Sequence, residues 1–342
     1  MPLGESGHSC MELYATENSK PPEGLKAGQL VTPDGATLRY ATAKPIERPI
    51  RGTVTILTGR GDYIERYYET IGDLLKRRYA VAIFDWRGQG LSSRLTRNRL
   101  RGHIRSFRQY ETDLHTFVRQ IVLPECPAPH FAIGYSMGGH VLLHAAWRHQ
   151  WFERVMLVSP LIQIRKRRMP RWWWQGITRL AVMLGFGRMF IPGQRRRPMT
   201  KDDFPGNPLT SDPTRFAREA GMIAAHPDLA VAGPTMGWLR AAIASCARLQ
   251  EYAENRQVPL WPMLMVAAGE ERFVDVEASR NFARDVAGIA CIVMQGARHD
   301  LFQESDRYRR PLWAAFDSFI SQEAPDPEAA LSAVEQNRDR VS

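Results

Sequence analysis

Short apolar runs alternate with amphipathic stretches along most of the chain. Residues 53–58 (TVTILT), 79–84 (YAVAIF) and 130–135 (HFAIGY) are rich in β-branched and aromatic residues, and glycine, aspartate or serine follows each run, a pattern typical of buried strands. Residues 63–77, between the first two runs, carry apolar side chains at helical spacing. Strands that alternate with helices predict an α/β fold, in which a mostly parallel sheet has helices on both faces.

The same patterns predict the remaining elements. We expect a hairpin over residues 30–41, because Pro33, Asp34 and Gly35 supply turn chemistry between two short runs. Further strands are predicted at 155–159, 262–268 and 289–294, and further helices at 107–122, 137–149, 276–286 and 308–319.

The alternation stops after Pro160 and resumes near residue 262. The chain between them is rich in tryptophan, arginine, proline and glycine and shows no clear strand pattern. The predicted divisions are a loose leader (1–25), an α/β core (26–160 and 251–321), an inserted helical cap (161–250) and a disordered tail (322–342).

Composition limits the class of protein. The chain has 342 residues, of which 44% are hydrophobic and 24% charged, as in an ordinary globular protein rather than a coiled coil or a disordered chain. The four cysteines are far apart with no CxxC pair, which fits a reducing compartment and argues against a zinc knuckle. Neither a run of about 20 apolar residues nor a signal-peptide pattern is present, so we expect a cytoplasmic location, including peripheral contact at the inner membrane.

The positive charge is concentrated in one segment. The formal net charge is +10, yet residues 161–201 contain eleven Lys and Arg and no Asp or Glu, so the rest of the chain has a net charge of −1. This concentration favours a local docking surface, such as one for an anionic membrane. We expect no nucleic-acid partner, because no recognition motif accompanies the basic segment.

A candidate nucleophile lies between a predicted strand and a predicted helix. Gly134-Tyr135-Ser136-Met137-Gly138 has the pattern Gly-x-Ser-x-Gly, in which a sharp strand-to-helix turn exposes the serine hydroxyl. Such a turn requires neighbours almost without side chains, which the two glycines provide. A structural strand–helix turn that merely needs glycines is the alternative interpretation.

A serine nucleophile needs a base, and the base needs an acid to orient it. Among nine histidines, His299 alone follows a predicted core strand, in the loop GARHD. The loop after the strand 262–268 offers Glu270, Glu271 and Asp275 as the acid. We favour Glu271, with Asp275 as the alternative. Backbone N–H groups of Met137 and Arg60 are the predicted oxyanion hole, since one follows the nucleophile and the other follows the first core strand.

At these motifs the sequence resembles the α/β hydrolase superfamily, and most of all its lysophospholipase and monoacylglycerol lipase family. The segments that carry the resemblance are 58–61 (TGRG), at the oxyanion loop, 85–92 (DWRGQGLS), 134–139 (GYSMGG) and 296–304 (GARHDLFQE). Thr58 stands where that family has histidine, and Glu271 stands where it usually has aspartate. The resemblance implies an α/β-hydrolase fold and a serine carboxylic ester hydrolase that needs neither metal nor cofactor.

The cap contains three consecutive tryptophans beside arginines. Trp172, Trp173 and Trp174 cannot all face one core, because neighbours on a helix point about 100° apart. With Arg168 and Arg171 they form either a substrate-binding or membrane-contacting surface, or ordinary cap packing with solvated arginines.

Two classes of function follow. The first is hydrolysis of the ester of a lysophospholipid or monoacylglycerol. The alternative within this class is that the same triad hydrolyses small esters, peptides or carbon–carbon bonds. The second is a non-catalytic membrane-binding protein with an inactive hydrolase core, against which the complete set of serine, acid and histidine argues.

Overall fold

The computed structural model describes residues 11–165, 171–255 and 257–321, apart from the side chains of Arg171, Trp172 and Ser321. Eight strands form one sheet in the order β1-β2-β4-β3-β5-β6-β7-β8. The strands are β1 (Lys26–Val31), β2 (Thr37–Ala43), β3 (Thr53–Leu57), β4 (Ala80–Phe84), β5 (His130–Tyr135), β6 (Arg154–Val158), β7 (Met263–Ala268) and β8 (Ile289–Met294).

The sheet is parallel except at one edge. β1 and β2 form the predicted hairpin, and β2 runs antiparallel to β4. All other neighbours are parallel. Every residue of β3, β4, β6 and β7 is buried, because helices cover both faces, which explains why these strands read as continuous apolar runs. The α/β fold class is confirmed.

The helices lie between the strands and in one long insertion. They are α1 (Tyr68–Lys76), α2 (Arg108–Phe117), α3 (Leu123–Glu125), α4 (Met137–Ala145), α5 (Arg171–Met183), α6 (Pro213–Ala225), α7 (Met236–Glu254), α8 (Val276–Asp285) and α9 (Asp306–Ser321). A π-helical segment, Val118–Val122, joins α2 to α3. The helices predicted outside the cap are confirmed, with ends shifted by a few residues.

The described residues between β6 and β7 contain three α-helices, α5, α6 and α7, and no strand. Ion pairs hold α6 against α1. Arg215 and Arg218 of α6 reach Glu69 at 2.6 Å and 2.5 Å. Helix α7 packs beside α4, where the Ser245 hydroxyl lies 2.8 Å from Nε2 of the buried His140. Thus two of the three helices are fixed to the sheet layer by polar contacts.

Residues 11–25 differ from the predicted loose leader. The Tyr14 ring stacks on His226 with centroids 4.0 Å apart, and its hydroxyl donates to Asp228 at 3.0 Å. Its backbone N–H donates to the Glu65 carboxylate at 3.2 Å. These contacts involve residues distant in sequence, so the local composition could not indicate them. Residues 1–10 and 322–342 lie outside the described residues. No described helix is long and apolar enough to cross a membrane.

Candidate active site

Ser136 occupies a strained turn between β5 and α4. Its φ is 49° and its ψ −110°, a conformation that costs a non-glycine residue about 1–3 kcal/mol. Gly138, in the first turn of α4, lies against the end of β3, and a Cβ there would stand 2.2 Å from the Leu57 carbonyl oxygen. The glycine is therefore needed for close approach of two backbones, and that approach holds the turn in place.

His299 follows β8 and faces the serine. Its Nε2 lies 3.0 Å from Ser136 Oγ. The ring is buried between the Tyr135 and Phe273 rings, whose centroids lie 5.3 Å and 5.0 Å from its own. This packing limits the ring to one orientation, with its two nitrogens facing different partners.

The second ring nitrogen faces Glu271. Nδ1 of His299 lies 2.5 Å from Oε2 of this carboxylate, so Nδ1 carries the proton and Nε2 is free to accept one. Oε1 accepts hydrogen bonds from the backbone N–H groups of Arg272 and Phe273, both at 2.8 Å. Burial would raise the pKa of Glu271, but the His299 ring and the backbone N–H groups of Phe273 and Val274 together hold it below its ordinary value. The carboxylate is therefore ionised.

The other two candidate acids lie elsewhere. Asp275 caps α8 and accepts a hydrogen bond from the Ala278 N–H at 3.2 Å. Glu270 is exposed. The structure thus brings Ser136, His299 and Glu271 into one hydrogen-bonded chain and uses Asp275 as a helix N-cap.

The side chain of Gln89 holds one side of the loop after β3. The Gln89 side chain donates from Nε2 to the Gly59 carbonyl at 3.0 Å and accepts from the Gly61 N–H at 2.8 Å. Because N–H and C=O point in opposite directions across a trans peptide, the Arg60 N–H points away from Gln89. Within the described part of the chain this N–H has no acceptor. Asp62 accepts from the Gly59 N–H at 2.8 Å and fixes the start of the loop.

Sequence reasoning missed the charged cluster behind this loop. Arg66 faces Asp62, Asp300 and Glu219, the last two at 2.7 Å and 2.9 Å, and Asp62 also accepts from the Tyr67 hydroxyl at 2.7 Å. All are buried or nearly so. The segment 85–92 indicated a structured loop that includes Gln89, but no local pattern identified the Arg66 cluster.

The residues predicted for the cap are only partly described. The Trp173 side chain is 44% exposed and Trp174 is partly buried. Arg168 lies outside the described residues, and so do the side chains of Arg171 and Trp172. Part of the basic segment has acidic partners just beyond its end, since Arg195 and Arg197 both pair with Asp203, at 2.9 Å and 2.6 Å.

Metal ligation has no candidate among the residues that the structure describes. No group of three or more His, Cys, Asp or Glu side chains there is arranged to hold a metal ion.

A mostly parallel sheet of eight strands, with a strained serine at the end of β5 and a histidine after β8, defines an α/β-hydrolase fold. A family model described as "Serine aminopeptidase, S33" matches residues 48–306. The chain belongs to this family.

Similar proteins agree with this assignment. Lysophospholipase L2 of Escherichia coli K12 is 30% identical over 290 residues, which cover 80% of this chain and 81% of that enzyme. A probable lysophospholipase L2 of Haemophilus influenzae is 24% identical over 277 residues, or 80% of this chain and 85% of that protein. A soluble variant of the Saccharomyces cerevisiae monoglyceride lipase has a similar structure, with a TM-score of 0.68, 21% identity, and coverage of 90% of this chain and 99% of the lipase. The chain is a carboxylic ester hydrolase.

Proposed function

We propose that this protein hydrolyses the carboxylic ester of single-chain lipids, lysophospholipid or monoacylglycerol, through an acyl-enzyme on Ser136. The observation that carries the proposal is the hydrogen-bonded chain from Ser136 Oγ through His299 to Glu271, at 3.0 Å and 2.5 Å. The lipid substrate is supported by the names of the relatives, a lysophospholipase and a monoglyceride lipase.

In the first half of the reaction, Ser136 Oγ attacks the ester carbonyl carbon and its proton passes to His299 Nε2. Glu271 stabilises the imidazolium that forms, because its carboxylate is already ionised and aligned with Nδ1. The carbonyl oxygen becomes an oxyanion that accepts hydrogen bonds from the Arg60 and Met137 N–H groups. Preorganised donors of this kind each lower the barrier by roughly 3–4 kcal/mol.

In the second half, the tetrahedral intermediate collapses. Nε2 gives its proton to the leaving glycerol oxygen, and the acyl group remains on Ser136 as an ester. Water then attacks this ester while His299 takes a proton from it. A second collapse returns that proton to Ser136 Oγ and releases the fatty acid.

Labelling with a fluorophosphonate probe tests the catalytic assignment. The wild-type protein should be labelled and should release fatty acid from lysophospholipids or monoacylglycerols, while Ser136→Ala should do neither. Ser106→Ala is the matched control, because among the described residues its hydroxyl accepts a hydrogen bond only from the Arg108 N–H at the start of α2, and it should keep the label. Labelling of Ser136→Ala at the wild-type level would contradict the proposal.

Acyl-chain length separates lipid hydrolysis from hydrolysis of small esters. The comparison uses kcat/KM for a series of monoacylglycerols from short to long chains, each below its micelle-forming concentration. We expect kcat/KM to rise with chain length, by about 0.8 kcal/mol of transition-state binding for each buried methylene. A maximum at acetyl or butyryl esters would favour the small-ester alternative.

We further propose that the surface formed by α5 and the segment after it docks on anionic membrane. The exposed apolar side chains in this surface include Met183, Leu184 and Phe186, at 83%, 61% and 51% exposure. Arg179 and Arg188 are exposed beside them and have no carboxylate partner among the described residues. Apolar side chains bordered by basic ones suit a lipid interface, where each basic residue adds about 1 kcal/mol on anionic lipid.

Vesicle co-sedimentation tests this docking surface. The triple variant Met183→Ser/Leu184→Ser/Phe186→Ser should lose most of its binding to phosphatidylglycerol vesicles. The double variant Arg179→Gln/Arg188→Gln should bind vesicles made only of phosphatidylcholine as well as the wild-type protein does. Ile46→Ser/Val258→Ser is the matched control, since these side chains are also exposed, by 76% and 62%. Equal loss in the control and the α5 variants would contradict the proposal.

A further inference from the structure

The Arg60 guanidinium lies where the core contacts the segment before α7, and no described residue gives it an acidic partner. Its Nη2 donates to the Ala232 carbonyl at 2.9 Å, and its guanidinium carbon lies 5.2 Å from the Trp238 ring centroid. Gly102 leaves room for the guanidinium, since a Cβ there would stand 3.1 Å from Nη2. Nε is enclosed without an acceptor, while the residue as a whole stays partly exposed.

Several other enclosed arginines in the described core have more acceptors than Arg60. Arg94 also lacks an ion pair among the described residues, but it donates to four backbone carbonyls. Arg39 pairs with Glu65 and Asp85, both at 2.7 Å, and Arg87 pairs with Asp34 and Asp113, both at 2.5 Å. Arg60 has no ion pair among the described residues. Burial lowers the pKa of Arg60 to about 10, whereas charge and hydrogen bonding raise those of Arg39 and Arg87.

An enclosed charge without a counter-ion is unfavourable. Charged groups of this kind concentrate at functional sites, where a bound ligand supplies the missing counter-ion. The backbone N–H of this same residue is the proposed oxyanion donor. An anion bound by its side chain would therefore lie within the length of one arginine side chain of the ester carbonyl. A guanidinium offers paired N–H donors that match the oxygens of a phosphate.

We propose that the Arg60 side chain binds the phosphate of a lysophospholipid whose ester carbonyl occupies the oxyanion hole. This inference rests on the proposed function and narrows its substrate. In a lysophospholipid the phosphate is attached to the glycerol unit that leaves, a few bonds from the scissile ester, whereas a monoacylglycerol has a neutral hydroxyl there. Arg60 therefore selects phospholipid over neutral glyceride.

A purely structural role predicts something different. The hydrogen bond to Ala232 could simply hold two loops together, and its loss would then slow hydrolysis of both lipids to the same extent. The decisive quantity is the ratio of kcat/KM for lysophosphatidylcholine to kcat/KM for the monoacylglycerol with the same acyl chain. Neither lipid has a net charge, so in neutral detergent micelles the basic surface around α5 does not bias the ratio.

Arg60→Met should reduce this ratio about 10- to 100-fold, the usual effect of losing a charge-assisted hydrogen bond. Arg60→Lys should give an intermediate ratio, because it keeps the charge and loses the paired donors. Arg101→Met is the matched control, since this arginine adjoins Gly102, which lies beside the Arg60 guanidinium, and it lies over the Phe190 ring at 5.6 Å. It should change the ratio less than about 2-fold.

The wild-type protein provides a test that does not depend on folding of a variant. Glycerophosphocholine should competitively inhibit hydrolysis of a short p-nitrophenyl ester, and glycerol at the same concentration should not. Equal weak inhibition by both, an unchanged ratio in Arg60→Met, or an equal change in Arg101→Met would overturn the assignment of Arg60 while lipid hydrolysis stands. Hydrolysis of neither lipid by the wild type would remove the proposed function itself and this inference with it.

Discussion

Nη2 of Arg66 lies 2.7 Å from Oδ2 of Asp300, the residue that directly follows His299. The same guanidinium contacts Asp62, which accepts from the Gly59 N–H of the oxyanion loop. Arg66 thus connects the loop of the candidate base with the loop of a candidate oxyanion donor. Its contact with Glu219 extends the connection to α6. We interpret Arg66 as a positioning residue for both loops.

Replacing Arg66 tests how much this cluster stabilises the fold. In Arg66→Met three buried carboxylates lose their shared guanidinium, and leaving buried charges unpaired costs about 3–5 kcal/mol. Urea unfolding should show this loss in the free energy of unfolding. Arg77→Met is the control, because its pair with Asp317 is 25% and 43% exposed and should contribute less than about 1 kcal/mol. Similar losses in both variants would argue against a special role for the cluster.

The pH dependence of stability tests the protonation of Glu219. Burial, together with repulsion from Asp62 and Asp300, outweighs the attraction of Arg66 and raises the pKa of Glu219 to about 7. The folded state then keeps a proton that the unfolded chain releases near pH 4.3, so this group's stabilisation is present at low pH and disappears as pH rises towards 7.

We therefore expect wild-type stability to fall more steeply than that of Glu219→Gln between pH 5 and pH 8, by about 2 kcal/mol. Denaturation with urea at several pH values measures the difference. Glu277→Gln, on an exposed position of α8, should reproduce the wild-type slope. Identical slopes in all three proteins would show that Glu219 is already ionised at pH 5.

Two carboxylate variants distinguish the candidate acids. Glu271→Gln should lower kcat by about 10³- to 10⁴-fold, because an amide cannot hold the same histidine tautomer or stabilise the imidazolium. Asp275→Asn should leave kcat near wild type and cost at most about 1 kcal/mol of stability through its N-cap. Hydrolysis of a p-nitrophenyl ester reports kcat for both. The reverse pattern would make Asp275 the catalytic acid.

Gln89 offers a test of the oxyanion loop that leaves the triad untouched. Gln89→Leu removes the hydrogen bonds to Gly59 and Gly61, so the Arg60 N–H should lose its fixed direction. We expect kcat to fall about 10- to 100-fold with little change in KM, since the loss falls on the transition state rather than on substrate binding. A rise in KM at constant kcat would instead place this loop in substrate binding.

Much of the core could be predicted from the sequence, because each parallel strand is a local apolar run with a polar or glycine residue at its end. That rule also located Ser136 and His299 at the correct strand ends. It favoured Glu271 and left Asp275 as the alternative, since both follow β7 in one short loop. Only the backbone path shows that Glu271 turns towards the histidine while Asp275 starts α8.

The cluster around Arg66 had no sequence signal, because its carboxylates come from three distant segments and meet only in the folded chain. Helices α5, α6 and α7 were expected only as a helical cap over residues 161–250, with no bounds for the individual helices. Their composition of tryptophan, proline and glycine hides much of the helical period. Helix α6 is fixed both by ion pairs to α1 and by its buried apolar residues Phe216, Ala220, Met222 and Ile223.

The contrast between the enclosed ion pairs of Arg66 and the exposed Arg179 and Arg188 has a practical consequence for assays. In water with 0.1 M salt, the interaction between exposed charges more than about 10 Å apart is largely screened, but buried ion pairs are screened far less. Raising the ionic strength should therefore release the protein from anionic vesicles and leave turnover of a water-soluble ester intact. Interfacial recruitment and bond cleavage can then be measured separately on one unmodified protein.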